Sequence, residues 1–211
     1  GGDFKGVTEN LDYLDDLGVS TIWVTPIVEN VAHDVNTDVP EDAYYAYHGY
    51  WAQDFEELNP HLGTLDEFHT LIDEAAARGI DIMVDVVLNH AGYGMHPTDS
   101  TENAPEGYPT NEDRQVFDGM LRETSGAGDL KMELSGLPDF ETERQDVREQ
   151  LVQWQSSWVE KSTTAQGNAI SSYRVDTVKH VDDTTWQHFK NELVEKDPSF
   201  KLIGESWGAN F

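Results

Sequence analysis

Short apolar runs alternate along this chain with stretches in which apolar residues recur every three or four positions. The two rhythms predict strands and helices in turn. Val7, Leu11, Leu14 and Leu17 keep helical spacing up to Gly18, after which Thr21-Ile22-Trp23-Val24-Thr25 reads as a buried strand closed by Pro26. Thr64-Leu65-Asp66-Glu67 has the form of a capping box, opening a helix with Leu65, Phe68, Ile72 and Ala75 on one face and Gly79 at its end. Ile80 to Val87 follows as the next strand. Val147, Leu151, Trp154 and Trp158 mark a third helix ahead of the strand that delivers Asp176. Trp186, Phe189 and Leu193 mark a fourth, ahead of Lys201-Leu202-Ile203 and Glu205.

Helices and strands alternating in this way imply parallel pairing through right-handed crossovers, an α/β fold. Between His90 and Phe140 the rhythm breaks into a stretch rich in Pro, Gly, Thr and Asn, too long for an ordinary connection. It is expected to form a small inserted, loop-rich subdomain over residues 91–139, anchored by Tyr93, Tyr108, Phe117, Met120 and Leu121. Residues 1–90 and 140–211 then make up the main α/β body.

Composition narrows the class. Acidic residues outnumber basic ones 41 to 13, for a formal net charge of −28 spread along all 211 residues. Such a surface repels nucleic acid and anionic membrane. Six Trp, eight Tyr and eight Phe supply core material that a disordered acidic chain lacks. Excess surface acid destabilises a compact state unless salt screens it, so a salt-adapted protein is expected. The absence of Cys excludes disulfides, zinc thiolates and thiol catalysis. No apolar run approaches the ~20 residues of a membrane span. No signal peptide precedes Gly1 and the chain does not start with Met, so an upstream segment is expected.

Two carboxylates end short apolar runs: Asp176 after Tyr173-Arg174-Val175, and Glu205 after Ile203-Gly204. Residues at the carboxyl ends of neighbouring parallel strands face one pocket, where an α/β barrel keeps its chemistry. Two acids there suit glycoside hydrolysis, one attacking the anomeric carbon while the other protonates the leaving oxygen. A single acid at a strand end is more often a helix cap, a turn residue or half of an ion pair. Arg174 favours the catalytic reading, because two residues before Asp176 it points to the same side and can hold that carboxylate ionised.

The ordered segments Asp85-Val86-Val87-Leu88-Asn89-His90, Leu137-Pro138-Asp139-Phe140, Arg174-Val175-Asp176-Thr177-Val178-Lys179-His180 and Gly204-Glu205-Ser206-Trp207, with Tyr47-His48-Gly49-Tyr50-Trp51 before them, resemble the α-amylase family of glycoside hydrolases. The resemblance runs through nearly the whole chain. It implies a partial (β/α)8 barrel, about strands 2–5, with a subdomain inserted after the third strand, and hydrolysis of α-1,4 bonds in starch-like polysaccharides with retained configuration. Asp176 would be the nucleophile and Glu205 the acid/base, which must carry a proton near neutral pH in a drier setting that Trp207 can supply. His90 would bind sugar hydroxyls, Tyr50 would stack on the sugar, and Arg174, Lys179, His180 and Trp207 would complete the substrate site. Asp85 reads as a structural brace. The resemblance also implies a structural Ca2+ held by Asn89, Asp139 and the His180 carbonyl, with a further carboxylate from Asp113, Glu123, Asp129 or Glu133.

The family's third carboxylate belongs to a later strand, and only Ser206 to Phe211 follow the Glu205 segment here. The 211-residue chain by itself is therefore expected to fold poorly and to hydrolyse starch negligibly. The resemblance also implies a secreted protein, monomeric when complete. Rival readings within the family are an amylopullulanase, a cyclomaltodextrinase or a glucanotransferase. Outside catalysis, the rival is an amylase-like binding or assembly protein, against which the full set of acids stands. An acidic calcium-binding surface protein would explain the charge but not the ordered motifs, and the Asp-x-Asp-x-Asp-Gly loop is absent.

Overall fold

The computed structural model describes residues 2–34, 44–99 and 106–208. It opens on two short helices, α1 (Phe4–Glu9) and α2 (Leu11–Asp16), where the spacing predicted one. The break falls at Asn10, whose φ of −108° and ψ of 8° leave the helix while its side-chain amide donates to the Gly6 carbonyl at 2.7 Å. Leu17 lies past the last turn of α2 and is exposed rather than on the apolar face.

Four parallel strands follow: β1 (Thr21–Val24), β4 (Asp81–Val86), β5 (Ser172–Val175) and β6 (Lys201–Gly204). They pair in the order β1-β4-β5-β6. Spatial order thus repeats chain order, so every crossover steps the same way around. A doubly wound sheet would reverse at its switch point, whereas a singly wound barrel does not. The architecture is a partial (β/α)8 barrel, with α3 (Leu65–Ala77), α4 (Gln145–Lys161) and α5 (Asp183–Lys196) as the crossover helices.

These helices form where the sequence sets them. Thr64 accepts from the Glu67 N–H at 3.2 Å, and Glu67 accepts from the Thr64 N–H at 2.8 Å, closing the predicted capping box. Phe68, Leu71, Ile72 and Ala75 form the buried face of α3, while Leu65, expected there, is exposed in the first turn. Val147, Leu151, Trp154 and Trp158 are buried on α4 as their spacing predicts. Between α4 and α5 sits Tyr173, fully buried, its hydroxyl donating to the Gln155 carbonyl at 2.7 Å and its ring stacked on Phe189 at 5.8 Å.

Alternation along the strands splits the sheet into two faces. Ile82, Val84, Val86, Tyr173 and Val175 are buried on the helix side. Trp23, Asp85 and Arg174 share the opposite face, where they meet one another. Here β1 departs from the buried strand its apolar run predicts, since Trp23 is 55% exposed. The reason is positional: β1 pairs only with β4, and burial of a strand requires neighbours on both sides.

Two features lie off this sheet. An antiparallel pair, β2 (Val28–Asn30) with β3 (Ala52–Leu58), follows β1 and was not foreseen. The Trp158 indole ties it to α4 by donating to the Phe55 carbonyl at 2.8 Å. Beyond β4, the segment from 91 to 139 holds only two short 3-10 turns, Asp113–Phe117 and Leu134–Gly136, among the described residues. Phe117 roots it in the core against Phe55 at 5.3 Å and Phe140 at 5.1 Å. Its ends lie side by side, Ala91 N–H donating to the Pro138 carbonyl at 3.0 Å and Phe140 N–H to the Asn89 carbonyl at 2.9 Å. Among the described residues, no helix is long and apolar enough to cross a membrane.

Candidate active site

Parallel register sets the site. Asp85 on β4 lies beside Arg174 on β5, and Val175 beside Gly204 on β6, so Asp176 and Glu205 leave adjacent strand ends together. The first residues beyond the strands stay in register, with Asp176 N–H donating to the Val86 carbonyl at 3.0 Å and Glu205 N–H to the Val175 carbonyl at 2.8 Å.

Arg174 is the centre of the arrangement. One of its terminal nitrogens donates to Asp85 at 2.9 Å and to Asp176 at 2.7 Å, and the other meets Glu205 Oε1 at 2.8 Å. Its guanidinium also lies over the Trp23 ring, 5.3 Å from the centroid. Three carboxyls thus surround one cation in a partly dry setting, which favours uptake of a proton by one of them. Burial, and then a hydrogen bond with Glu205, push Asp176 up to about 7 against the pull of Arg174. Burial also pushes Glu205 up, but hydrogen bonds from the Trp207 indole, the Thr177 N–H and Asp176, with Arg174 nearby, outweigh it and leave Glu205 below its ordinary value.

This reverses the expected protonation. Arg174 alone was expected to hold Asp176 ionised while Trp207 dried out Glu205. Instead Asp176 is the more buried of the two acids, and Trp207 is 74% exposed, serving Glu205 as a donor at 2.8 Å rather than as an apolar wall. Asp85 fits the bracing role read from sequence. Fully buried, it accepts from Tyr50 at 2.7 Å, from the Trp23 indole at 3.2 Å and from Arg174. Burial raises its pKa, and those three donors restrain the rise.

Tyr50 packs its ring on His48 at 5.7 Å while its hydroxyl holds Asp85. His90 is buried, its Nε2 3.1 Å from the Tyr50 carbonyl. Burial lowers its pKa to about 4, so the ring is neutral at pH 7. Lys179 and His180 both turn toward Asp129: the Lys179 ammonium lies 3.8 Å from its carboxylate, and His180 Nδ1 lies 2.8 Å from its carbonyl.

The family model "Alpha amylase, catalytic domain" matches residues 1–202. The chain belongs to the α-amylase family. It is 32% identical to alpha-amylase 1 of Schwanniomyces occidentalis over 218 residues, covering 95% of this chain and 39% of that protein. The crystal structure of an alpha-amylase from Geobacillus thermoleovorans, complexed with acarbose, superimposes with a TM-score of 0.75 at 32% identity, over 99% of this chain and 41% of that one. The type III pullulan hydrolase from Thermococcus kodakarensis gives 0.70 at 30% identity, over 98% and 33%. This α-amylase-family chain therefore spans about two fifths or less of the relatives it matches.

Whether its residues fit the family's calcium turns on one buried tautomer. The neutral His90 ring carries a single N–H, and Nε2 faces a carbonyl, so Nε2 carries it. Nδ1 is then an acceptor and requires the Asn89 NH2 group, 3.3 Å away. That turns the Asn89 oxygen toward Asp139 Oδ1 at 3.3 Å and the His180 carbonyl at 3.0 Å. Three oxygens then converge with no hydrogen between them, an arrangement that a hard cation resolves. The opposite amide orientation satisfies Asp139 and His180, but requires the N–H on Nδ1 and sets a bare Nε2 against the Tyr50 carbonyl. Among the described residues no group of three or more His, Asp or Glu side chains has metal-site spacing, because this set mixes an amide, a carboxylate and a backbone carbonyl.

Of the four further carboxylates considered, Asp113 is committed to the Thr110 N–H and hydroxyl, both at 2.7 Å. Glu133 is the one whose charge acts on Asp139, which burial raises to about 6 against the Arg122 ion pair at 2.9 Å. Arg122 is a residue that sequence reasoning missed. It clamps Asp139 while gripping Glu143 through two bonds, at 2.9 and 2.8 Å. Trp23 was missed as well, having been read as core. Its signal was an indole on the face of β1 that alternation sets opposite to Ile22 and Val24.

Proposed function

We propose that this chain carries the acid pair of a retaining α-glucan hydrolase acting on α-1,4 bonds of starch-like polysaccharides. The observation that carries the reading is the meeting of Asp176 and Glu205 on one guanidinium at adjacent strand ends. Family membership supports the reaction class. In the proposed reaction Asp176 attacks the anomeric carbon as the bond to the leaving oxygen breaks and Glu205 protonates that oxygen. Water, deprotonated by Glu205, then releases the sugar from Asp176.

A retaining pair works at a separation of ~5–5.5 Å, with the anomeric centre between the two acids. A sugar entering between them would remove the interaction with Glu205 that, after burial, raises Asp176. Arg174 would then hold Asp176 ionised, and Glu205 would take up the proton. Sugar entry would thus favour the exchange of protonation states. Tyr50, His90, Lys179, His180 and Trp207 are proposed to line the sugar site around it, with Arg174 as the fixed cation. Ca2+ at Asn89, Asp139 and the His180 carbonyl, completed by Glu133, would pin segment 91–139 to the end of β4. A protein acting on such polymers would work outside the cell, where the charge of −28 also suits concentrated salt.

The test uses the complete encoded protein on soluble starch. Asp176→Asn and Glu205→Gln should each lower kcat at least about a thousandfold, and the first product should keep the α-anomeric configuration by NMR. Full activity in both variants would sink the proposal. The likeness to a pullulan hydrolase favours a second reading, cleavage of pullulan by the same acid pair, and hydrolysis of pullulan but not amylose would select it. Chelation with EDTA should lower the melting temperature and added Ca2+ should restore it.

A further inference from the structure

Thr177 carries two costs next to the acid pair. Its backbone is left-handed, φ 49° and ψ 40°, a region that β-branched residues avoid because Cβ crowds the following carbonyl. Its hydroxyl is buried with no hydrogen-bond partner. Such features persist only where the surroundings over-determine them, and they gather at functional sites.

The surroundings do so here. Asp176 N–H is fixed to Val86, Val178 N–H donates to the Glu205 carbonyl at 3.1 Å, and His180 N–H donates to the Thr177 carbonyl at 2.9 Å. The Trp186 indole holds the Val178 carbonyl at 2.8 Å. Val178 packs so close to β6 that a Cβ on Gly204 would meet its methyl at 2.8 Å. The left-handed turn reverses the chain immediately after Asp176 and aims the Thr177 N–H across the strand gap to Glu205 Oε2, 3.3 Å away.

We propose that Thr177 is a positioning residue for the acid pair: its left-handed turn sets where the Glu205 carboxylate stands relative to Asp176. This rests on the reading of those two residues as the catalytic acids. The charged groups around the turn are Asp85, Arg174, Asp176 and Glu205, while Lys179 and His180 face Asp129. Stiffness is what Thr adds, since Gly adopts the same turn freely and Asn tolerates it with a side chain in place.

Three variants of the complete protein decide it, assayed on soluble starch. Thr177→Gly should melt at or above the wild-type temperature, because strain and the orphan hydroxyl both vanish. Yet it should lose about tenfold in kcat with KM within about twofold, and the acidic limb of its pH profile should shift. Thr177→Asn should recover most of the lost kcat. A kcat and acidic limb equal to wild type in Thr177→Gly, or losses in both variants that follow their melting temperatures, would overturn the proposal. Asp176→Asn separates the two levels: an active Asp176→Asn removes the underlying acid-pair reading, whereas an inactive one beside an unaltered Thr177→Gly removes only the role of Thr177.

Discussion

β5 and β6 run side by side in parallel register and each ends in a candidate catalytic acid, but β5 has a strand on both flanks and β6 on one. On β5, Tyr173 is fully buried, whereas Leu202, its register partner on β6, is only half-buried. The same difference carries over to the acids. Asp176 sits deep enough for burial to raise its pKa to about 7, whereas Glu205 stands far enough out for its hydrogen-bond donors to win. The difference in acidity between two chemically similar groups therefore follows how deeply each is buried and which donors reach it.

The largest test of that contrast is steric. In the complete protein, Tyr173→Ala should cost about 3–5 kcal/mol in urea unfolding, and Leu202→Ala should cost less only where β6 stays an edge. Comparable costs would mean that further elements cover β6 there, as closure of the barrel requires. The acids sharpen the contrast through pH. The folded pKa of Asp176 lies above its ordinary value, so the stability it gives is full below about pH 4 and is lost as pH rises through about 7. Asp176→Asn should therefore match wild type near pH 4 and gain on it, by an amount on the order of a few kcal/mol, above pH 7. Glu205 is shifted the other way, so its stabilisation is present at neutral pH and lost on acidification. Glu205→Gln should be the less stable protein at pH 7, with the gap closing as pH falls. Thermal melts across that range read both signs.

The smallest effect lies away from the sheet. Glu29 is raised by burial and then by the charges of Asp54, Asp113 and Glu57, a local instance of the self-repulsion that the whole chain carries. Glu29→Gln should stabilise by less than about 1 kcal/mol at low salt. The part of the gain that comes from repulsion should vanish near 1 M salt, where the screening length falls to ~3 Å, leaving the part that comes from burial.

The four helix-strand units were legible because each helix writes its buried face into the sequence at regular spacing, as Val147, Leu151, Trp154 and Trp158 do. Pairing of the acids was legible from register alone, since it needs only that two strands end together. What the sequence hid depends on neighbours. Thr21 to Val24 reads as a buried strand because an apolar run cannot report how many strands flank it. β2 and β3 escaped notice because two register shifts break their pairing and Ala52 to Leu58 alternates imperfectly. The protonation of the pair escaped notice because Arg174 reads as the partner of Asp176, whereas the fold shares it among Asp85, Asp176 and Glu205. The strain at Thr177 has no sequence signal, because Thr is an ordinary residue nearly everywhere else.

Segment 91–139 leaves the main body and rejoins it at touching points, with Ala91 bonded to Pro138 and Asn89 to Phe140. A chain that exits and re-enters at one seam asks almost nothing of the path between, since the entropy of closing a loop grows only slowly with its length. The seam behaves like a socket. Segments of different length and shape could be exchanged there while β4 and α4 stay in place, provided that they supply a core anchor such as Phe117, so this part of the chain could diversify, by natural drift or by grafting, independently of the acids.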